Sequence, residues 1–144
     1  MVDAYEQTGG NLICALEVPM EQTSSYGVLD PGSRDGALTE VKGLVEKPAP
    51  GTAPSNLIIA GRYILQPEVM HHLSRHEKGA GGEIQLTDAM AAMIGNQPFF
   101  GVTFDGQRFD CGSKAGYIEA NLALALESDE IGAHIRDFAR KLVI

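Results

Sequence analysis

Two near-continuous apolar runs constrain this chain more than any other feature. Asn11 to Val18 reads NLICALEV, and Asn56 to Leu65 reads NLIIAGRYIL. Both are too short to span a bilayer, which takes roughly 18 or more apolar residues. A short apolar run bounded by Gly and Pro reads as a strand buried on both faces. Around them lie further strand patterns at Tyr26–Asp30, Leu38–Lys47 and Phe99–Phe104, the first two suggesting a hairpin across the turn cluster at 31–36. Asp105-Gly106 is a hairpin-turn signal, with Gln107–Cys111 expected to return as a strand.

Helical patterns alternate with these strands. Residues 2–8 read as the last turns of a helix ended by Gly9-Gly10, an unusual way for a domain to begin. Pro67 opens a helix at its first position, Glu83–Asn96 reads as a second, and Ser113 caps a third. Ile131, Ile135, Phe138 and Leu142 recur with the period of an amphipathic helix at the chain end. The alternation gives an α/β chain with a mixed sheet flanked by helices. Its 144 residues suffice for one domain with a single core.

Charge and cysteine usage exclude several roles. The net charge is −8 and the basic residues are dispersed, so no electrostatic footprint for nucleic acid forms. There is no membrane span and no signal peptide, which points to the cytoplasm. Cys14 and Cys111 have neither CxxC nor zinc spacing, and read as reduced structural thiols, Cys14 buried and Cys111 near a turn. His71, His72, His76 and His134 have no metal-ligand spacing, and the first three, on one helix and its end, read as solvated.

Five places could carry chemistry. In Val45-Glu46-Lys47-Pro48, a strand ends in adjacent opposite charges. The carboxylate can accept sugar hydroxyls and the ammonium can neutralise a phosphate, or the two form a surface ion pair. In a regular strand Glu46 and Lys47 point to opposite faces. Gly27, after Tyr26, marks a close backbone approach, to a ligand or to another strand. Gly61 repeats the theme beside Arg62, which needs an anionic partner if buried and reaches solvent otherwise. Asp110 is expected at a strand end next to Gly112, where it could take one site on Mg²⁺ or serve a turn. The Gly79–Glu83 loop could hold an anion at a helix start, although it lacks the ending of a P-loop.

Taken in order, LEVP, SSYGVLD, GLVEKPAPGTAPSNLIIAGRYIL, GAGGEIQLTDAM and FDCGSKAGYIEANL resemble the bacterial UTP–glucose-1-phosphate uridylyltransferases over essentially the whole chain. The resemblance implies the C-terminal portion of a Rossmann-like nucleotidyltransferase fold. The reaction it implies joins UTP and glucose-1-phosphate to give UDP-glucose and pyrophosphate. It assigns Tyr26, Gly27, Glu46, Lys47, Ala60 and Gly61 to the sugar phosphate and Asp110 to Mg²⁺, with Glu83, Arg62 and Asp88 as supporting candidates. It assigns no catalytic side chain in these 144 residues. The family's Gly-rich nucleotide loop, of the type GxGTRxLP, is not among them. The expectation is therefore a chain without the N-terminal half that holds UTP, inactive alone. A non-catalytic truncated homologue, kept for sugar-nucleotide sensing or assembly, is the alternative. An unpaired sheet edge and the amphipathic last helix point further to a homo-oligomer.

Overall fold

A computed structural model describes residues 1–79 and 82–142. The chain divides into two compact units, Met1–Asp105 and Gly106–Ile144.

The first unit is built on five strands. They are β1 (Asn11–Glu17), β2 (Gly27–Asp35), β3 (Leu38–Glu46), β4 (Leu57–Ile64) and β5 (Phe99–Thr103). The sheet is mixed. β1 and β5 run parallel, and the remaining pairings are antiparallel. In the order β1-β4-β2-β3-β5 the sheet closes on itself. The free edge expected from the sequence is therefore absent from these strands. Each finds two neighbours through pairings distant in sequence, such as β1 with β5, and β2 meets β4 at Val28–Ile58.

Among the described residues three α-helices accompany this sheet, α1 (Val2–Thr8), α2 (Glu68–Leu73) and α3 (Leu86–Ala91), with a 3-10 helix at Met20–Ser25. α1 ends at Gly9 in a left-handed conformation, φ 61°, as its double glycine requires. The two apolar runs supply Ile13, Ala15, Leu57 and Ile59 to the core, joined by Leu29, Val41 and Phe99 from the other strands. Val69 of α2 and Ala89 and Met90 of α3 pack against the same cluster. Asn11 is fully buried yet satisfied. Its amide donates to Gln97 at 2.9 Å and its carbonyl accepts from the Gln66 backbone at 2.8 Å, tying β1 to the entrances of β5 and α2.

Two elements differ from expectation in this unit. α3 is shorter than Glu83–Asn96. Ile84 is left exposed before it, and Ile94 leaves the helix to bridge Gln97, with Gly95 at φ 92° between them. β2 continues through Pro31-Gly32, where a turn was expected. The β2–β3 register shifts on either side of Pro31, and the reversal falls at Gly36, φ 57°. Proline fits there because a bulge leaves its missing N–H unclaimed. The Glu40 carboxylate accepts from the backbone and hydroxyl of Ser33, filling the bulge.

The second unit comprises α4 (Lys114–Glu127) and α5 (Gly132–Leu142). Gln107–Cys111 is irregular chain rather than a strand, and Asp105-Gly106 makes no hairpin. Phe109 and Cys111 would share one strand face, but Phe109 is only half-buried and Cys111 exposed, so the segment has too little to bury as a strand. Asp110 thus precedes a helix instead of ending a strand. Ser113 caps α4, its hydroxyl accepting from the Gly116 backbone at 3.0 Å. Among the described residues no helix is long and apolar enough to cross a membrane.

Candidate functional site

The site is assembled where β3 ends and β2 begins. Antiparallel pairing sets Gly27 opposite Glu46, and the Tyr26 carbonyl accepts from the Lys47 backbone at 3.0 Å. On the other side of β2, Val28 pairs with Ile58, which brings Ile59 alongside Gly27 and makes Ala60 and Gly61 the next residues of β4. Glu46, Gly27 and the Ile59–Gly61 stretch thus come from three adjacent strands.

Gly27 is buried, and its surroundings leave a side chain little room. A Cβ there would lie 2.7 Å from Ile59 Cδ1, 3.0 Å from Glu46 Oε2 and 3.2 Å from Thr87 Oγ1. The close approach is therefore to side chains of this chain. Gly61 owes its identity to backbone geometry. The β1–β4 register shifts between Ile13–Tyr63 and Ala15–Ile59, so that Ala60-Gly61-Arg62 bulges opposite Cys14. The bulge puts Gly61 at φ 79°, a conformation glycine adopts without strain. Arg62 is exposed and folds back onto the Gly61 carbonyl at 3.1 Å, so it has no need of a buried anion.

Glu46 and Lys47 depart from regular strand geometry. Lys47 has φ 44°, a left-handed conformation for a residue that is not glycine. The strand therefore ends abruptly, and the two side chains do not diverge as alternation requires. Lys47 Nζ lies 3.9 Å from Glu46 Oε1, with the Glu46 side chain only 12% exposed and that of Lys47 54%. An enclosed carboxylate sits beside a cation that reaches solvent. The other carboxylate oxygen, Oε2, accepts from the Thr87 hydroxyl at 2.7 Å. Nearby, burial pushes the Tyr63 phenol above its ordinary pKa, and the Glu46 charge pushes it further.

Thr87 was not legible as a site residue, although Glu83 and Asp88 on either side of it drew attention. Both of these are exposed. Asp88 packs its carboxylate against Gly79, while Glu83 accepts from the Gln85 amide at 3.5 Å. The signal was a lone hydroxyl on the buried side of a short helix, which must find a partner. Of the expected anion loop at 79–83, Ala80 and Gly81 lie outside the described residues.

Cys14 is half-buried rather than fully buried, and burial raises its pKa. His71, His76 and His134 are exposed, and His72 is half-buried.

Asp110 belongs to the second unit. Its Oδ1 accepts from the Gly112 backbone at 3.0 Å and its carbonyl accepts from the Ser113 hydroxyl at 3.2 Å, an Asx-type turn leading into α4. Gly116 is obligatory against this turn, because a Cβ would overlap the Asp110 carbonyl.

Comparison with known proteins gives the family of the chain. The nucleotidyl transferase family matches residues 1–127. The chain belongs to that family. Among its relatives, the UTP–glucose-1-phosphate uridylyltransferase of Komagataeibacter xylinus is 60% identical over 114 residues, which is 79% of this chain and 40% of that protein. The enzyme of the same name from Staphylococcus epidermidis is 43% identical over 144 residues, all of this chain and 50% of that protein. A crystal structure of UDP-glucose pyrophosphorylase complexed with UDP-glucose superposes with a TM-score of 0.84 at 38% identity, over 89% of this chain and 48% of that one. The chain therefore spans about half the length of the relatives it matches. Within the nucleotidyl transferase family a divalent metal is the usual requirement. Among the described residues no group of three or more His, Cys, Asp or Glu could hold one. Asp110, with Oδ1 engaged by the Gly112 N–H, fits as a single carboxylate donor, compatible with an ion that takes its other ligands from phosphates, water and a second carboxylate.

Proposed function

We propose that this chain supplies the sugar-phosphate half of a UTP–glucose-1-phosphate uridylyltransferase. The observation that carries the proposal is the convergence of Glu46, Lys47 and Gly27 at one strand junction, with Ala60-Gly61 on the adjoining strand. The names of the relatives support uridylyl transfer between UTP and glucose-1-phosphate; in this reading the sugar-phosphate oxygen attacks the α-phosphorus of UTP in line, forming the new P–O bond of UDP-glucose as the bond to pyrophosphate breaks.

In this reading Glu46 accepts hydrogen bonds from glucose hydroxyls, and its enclosure strengthens them. Lys47 reaches outward to the phosphate as a mobile point charge. The backbone at Tyr26-Gly27 and Ala60-Gly61 forms the wall of the sugar pocket. Mg²⁺ would be held by Asp110 together with a carboxylate outside these 144 residues, and its chemistry is charge neutralisation on the phosphates. The UTP-binding part likewise lies outside them, so 1–144 act as one sugar-phosphate portion of a nucleotidyltransferase domain. The working assembly is a homo-oligomer in the cytoplasm.

The test is titration of the chain with glucose-1-phosphate by calorimetry, paired with an assay for UDP-glucose formation. Saturable binding is expected, weakened by about 1–3 kcal/mol in Glu46→Ala, the scale of a lost charge-assisted hydrogen bond. Equal binding by Glu46→Ala sinks the sugar assignment. Robust UDP-glucose formation by the chain alone sinks the view that the site is incomplete.

A further inference from the structure

A carboxylate that reads sugar hydroxyls must be held in one orientation before the sugar arrives, or binding bears the cost of ordering a flexible side chain. Glu46 has this support on one oxygen only. Oε2 takes the Thr87 hydroxyl at 2.7 Å, a length typical of a hydroxyl on an ionised carboxylate. Oε1 stands 3.9 Å from Lys47 Nζ, beyond hydrogen-bonding distance, and among the described residues no hydrogen bond to it is found, which leaves it to incoming donors. We infer that Thr87 is the positioning residue that fixes Glu46 for its sugar ligand, so that Oε2 is the anchored oxygen and Oε1 the reading one.

Three features make Thr87 suited to this. It is 7% exposed, so water does not compete well for its hydroxyl. It is β-branched on a helix, which limits its χ1 freedom. The usual alternative acceptor for a helical threonine is the carbonyl four residues back. Here that residue is Glu83, which precedes α3 (Leu86–Ala91), so its carbonyl is not stacked beneath Thr87 as in a helix interior; it accepts from the Gly79 backbone at 2.9 Å instead. Gly27 completes the arrangement from below, since any side chain there would press on both Oε2 and Oγ1. α3 thereby enters the sugar site without touching the sugar.

The inference rests on the sugar reading of Glu46, and the test separates the two. Glucose-1-phosphate affinity is measured for the full 144-residue chain and for Thr87→Val, Thr87→Ser, Glu46→Ala and Thr87→Val with Glu46→Ala. The expected result is about five- to tenfold weaker binding in Thr87→Val, less than a lost ligand hydrogen bond because Glu46 remains and is only held less firmly. Thr87→Ser keeps the hydroxyl and stays within about twofold of the parent. In the Glu46→Ala background Thr87→Val changes affinity by less than about twofold, because a residue acting through Glu46 has nothing left to act on. A Thr87→Val effect of the same size in both backgrounds overturns the inference, since it would reflect a general structural role. So does parental affinity in Thr87→Val while Glu46→Ala is weakened. Parental affinity in Glu46→Ala, or no binding by the parent chain, overturns the sugar reading and the inference with it. Should Thr87→Val fail to fold, Thr87→Ala takes its place in the same cycle.

Discussion

Gly27→Ala adds one methyl group at the most crowded point of the site, and its cost can be worked from the surroundings. The backbone itself accepts alanine, because Gly27 is not among the residues with positive φ. Alanine would even gain about 0.4–1 kcal/mol by restricting the unfolded chain. Against this, the new Cβ meets Ile59 Cδ1 at 2.7 Å and the Glu46–Thr87 pair at 3.0 and 3.2 Å. Ile59 is 8% exposed and packed in the core, so its methyl has little room to retreat. Overpacking of this kind costs about 1–3 kcal/mol, leaving a net loss of about 0–2.6 kcal/mol, centred on about 1.3, and a Tm lowered by roughly 3–5 °C at that centre. In urea the midpoint should fall at unchanged slope, since the surface exposed on unfolding is the same. Glucose-1-phosphate affinity should fall as well, because the methyl pushes on Oε2. The diagnostic variant is Ile59→Val, which removes the atom in the tightest contact. Alone it should cost about 0.5–1.5 kcal/mol. Combined with Gly27→Ala it should cost less than the sum by at least about 0.5 kcal/mol. Strict additivity of the two substitutions would refute the reasoning.

Other consequences are open to measurement. Tyr63 should titrate above the ordinary phenol value of about 10, first because it is buried and second because Glu46 is charged. Since the fold holds this proton more tightly, the stability linked to it is complete below that value and is lost as pH rises through the folded pKa. NMR titration of Glu46→Gln should show the Tyr63 pKa lowered, with the burial contribution remaining. Ser113→Ala removes the cap on α4 and should cost about 0.5–2 kcal/mol, read as faster amide exchange in the first turn with β1–β5 unaffected. Thiol reagents should label Cys111, which is exposed, before Cys14, whose pKa burial raises. Peptide mapping after brief labelling at neutral pH checks the order.

What could be read from the sequence was whatever depends on near neighbours. Apolar runs located β1 and β4, and Gly9 and Ser113 marked helix ends from local backbone and capping chemistry. Glu46, Lys47 and Gly27 were legible because charge beside proline, and glycine in a strand, are unusual locally. Pairings between distant segments were not legible, so the sheet's closure through β5 contradicted the expected free edge. Nor was Pro31 readable as part of a strand, because its tolerance depends on a register shift against β3. Thr87 escaped for the same reason: its partner is 41 residues away. Gln107–Cys111 failed differently: Phe109 and Cys111 alternate as a strand would, but among the described residues the segment finds no strand to pair with and leaves Cys111 exposed.

The left-handed backbone at Lys47 has a consequence for anyone selecting variants of this chain. Holding a side chain in that conformation costs about 1–2 kcal/mol that glycine would not bear. A heat-challenge screen for soluble protein should therefore enrich Gly, and to a lesser degree Asn, at position 47. A screen that scores ligand capture should retain lysine. Position 47 is where selection for robustness and selection for chemistry would draw the same library in opposite directions.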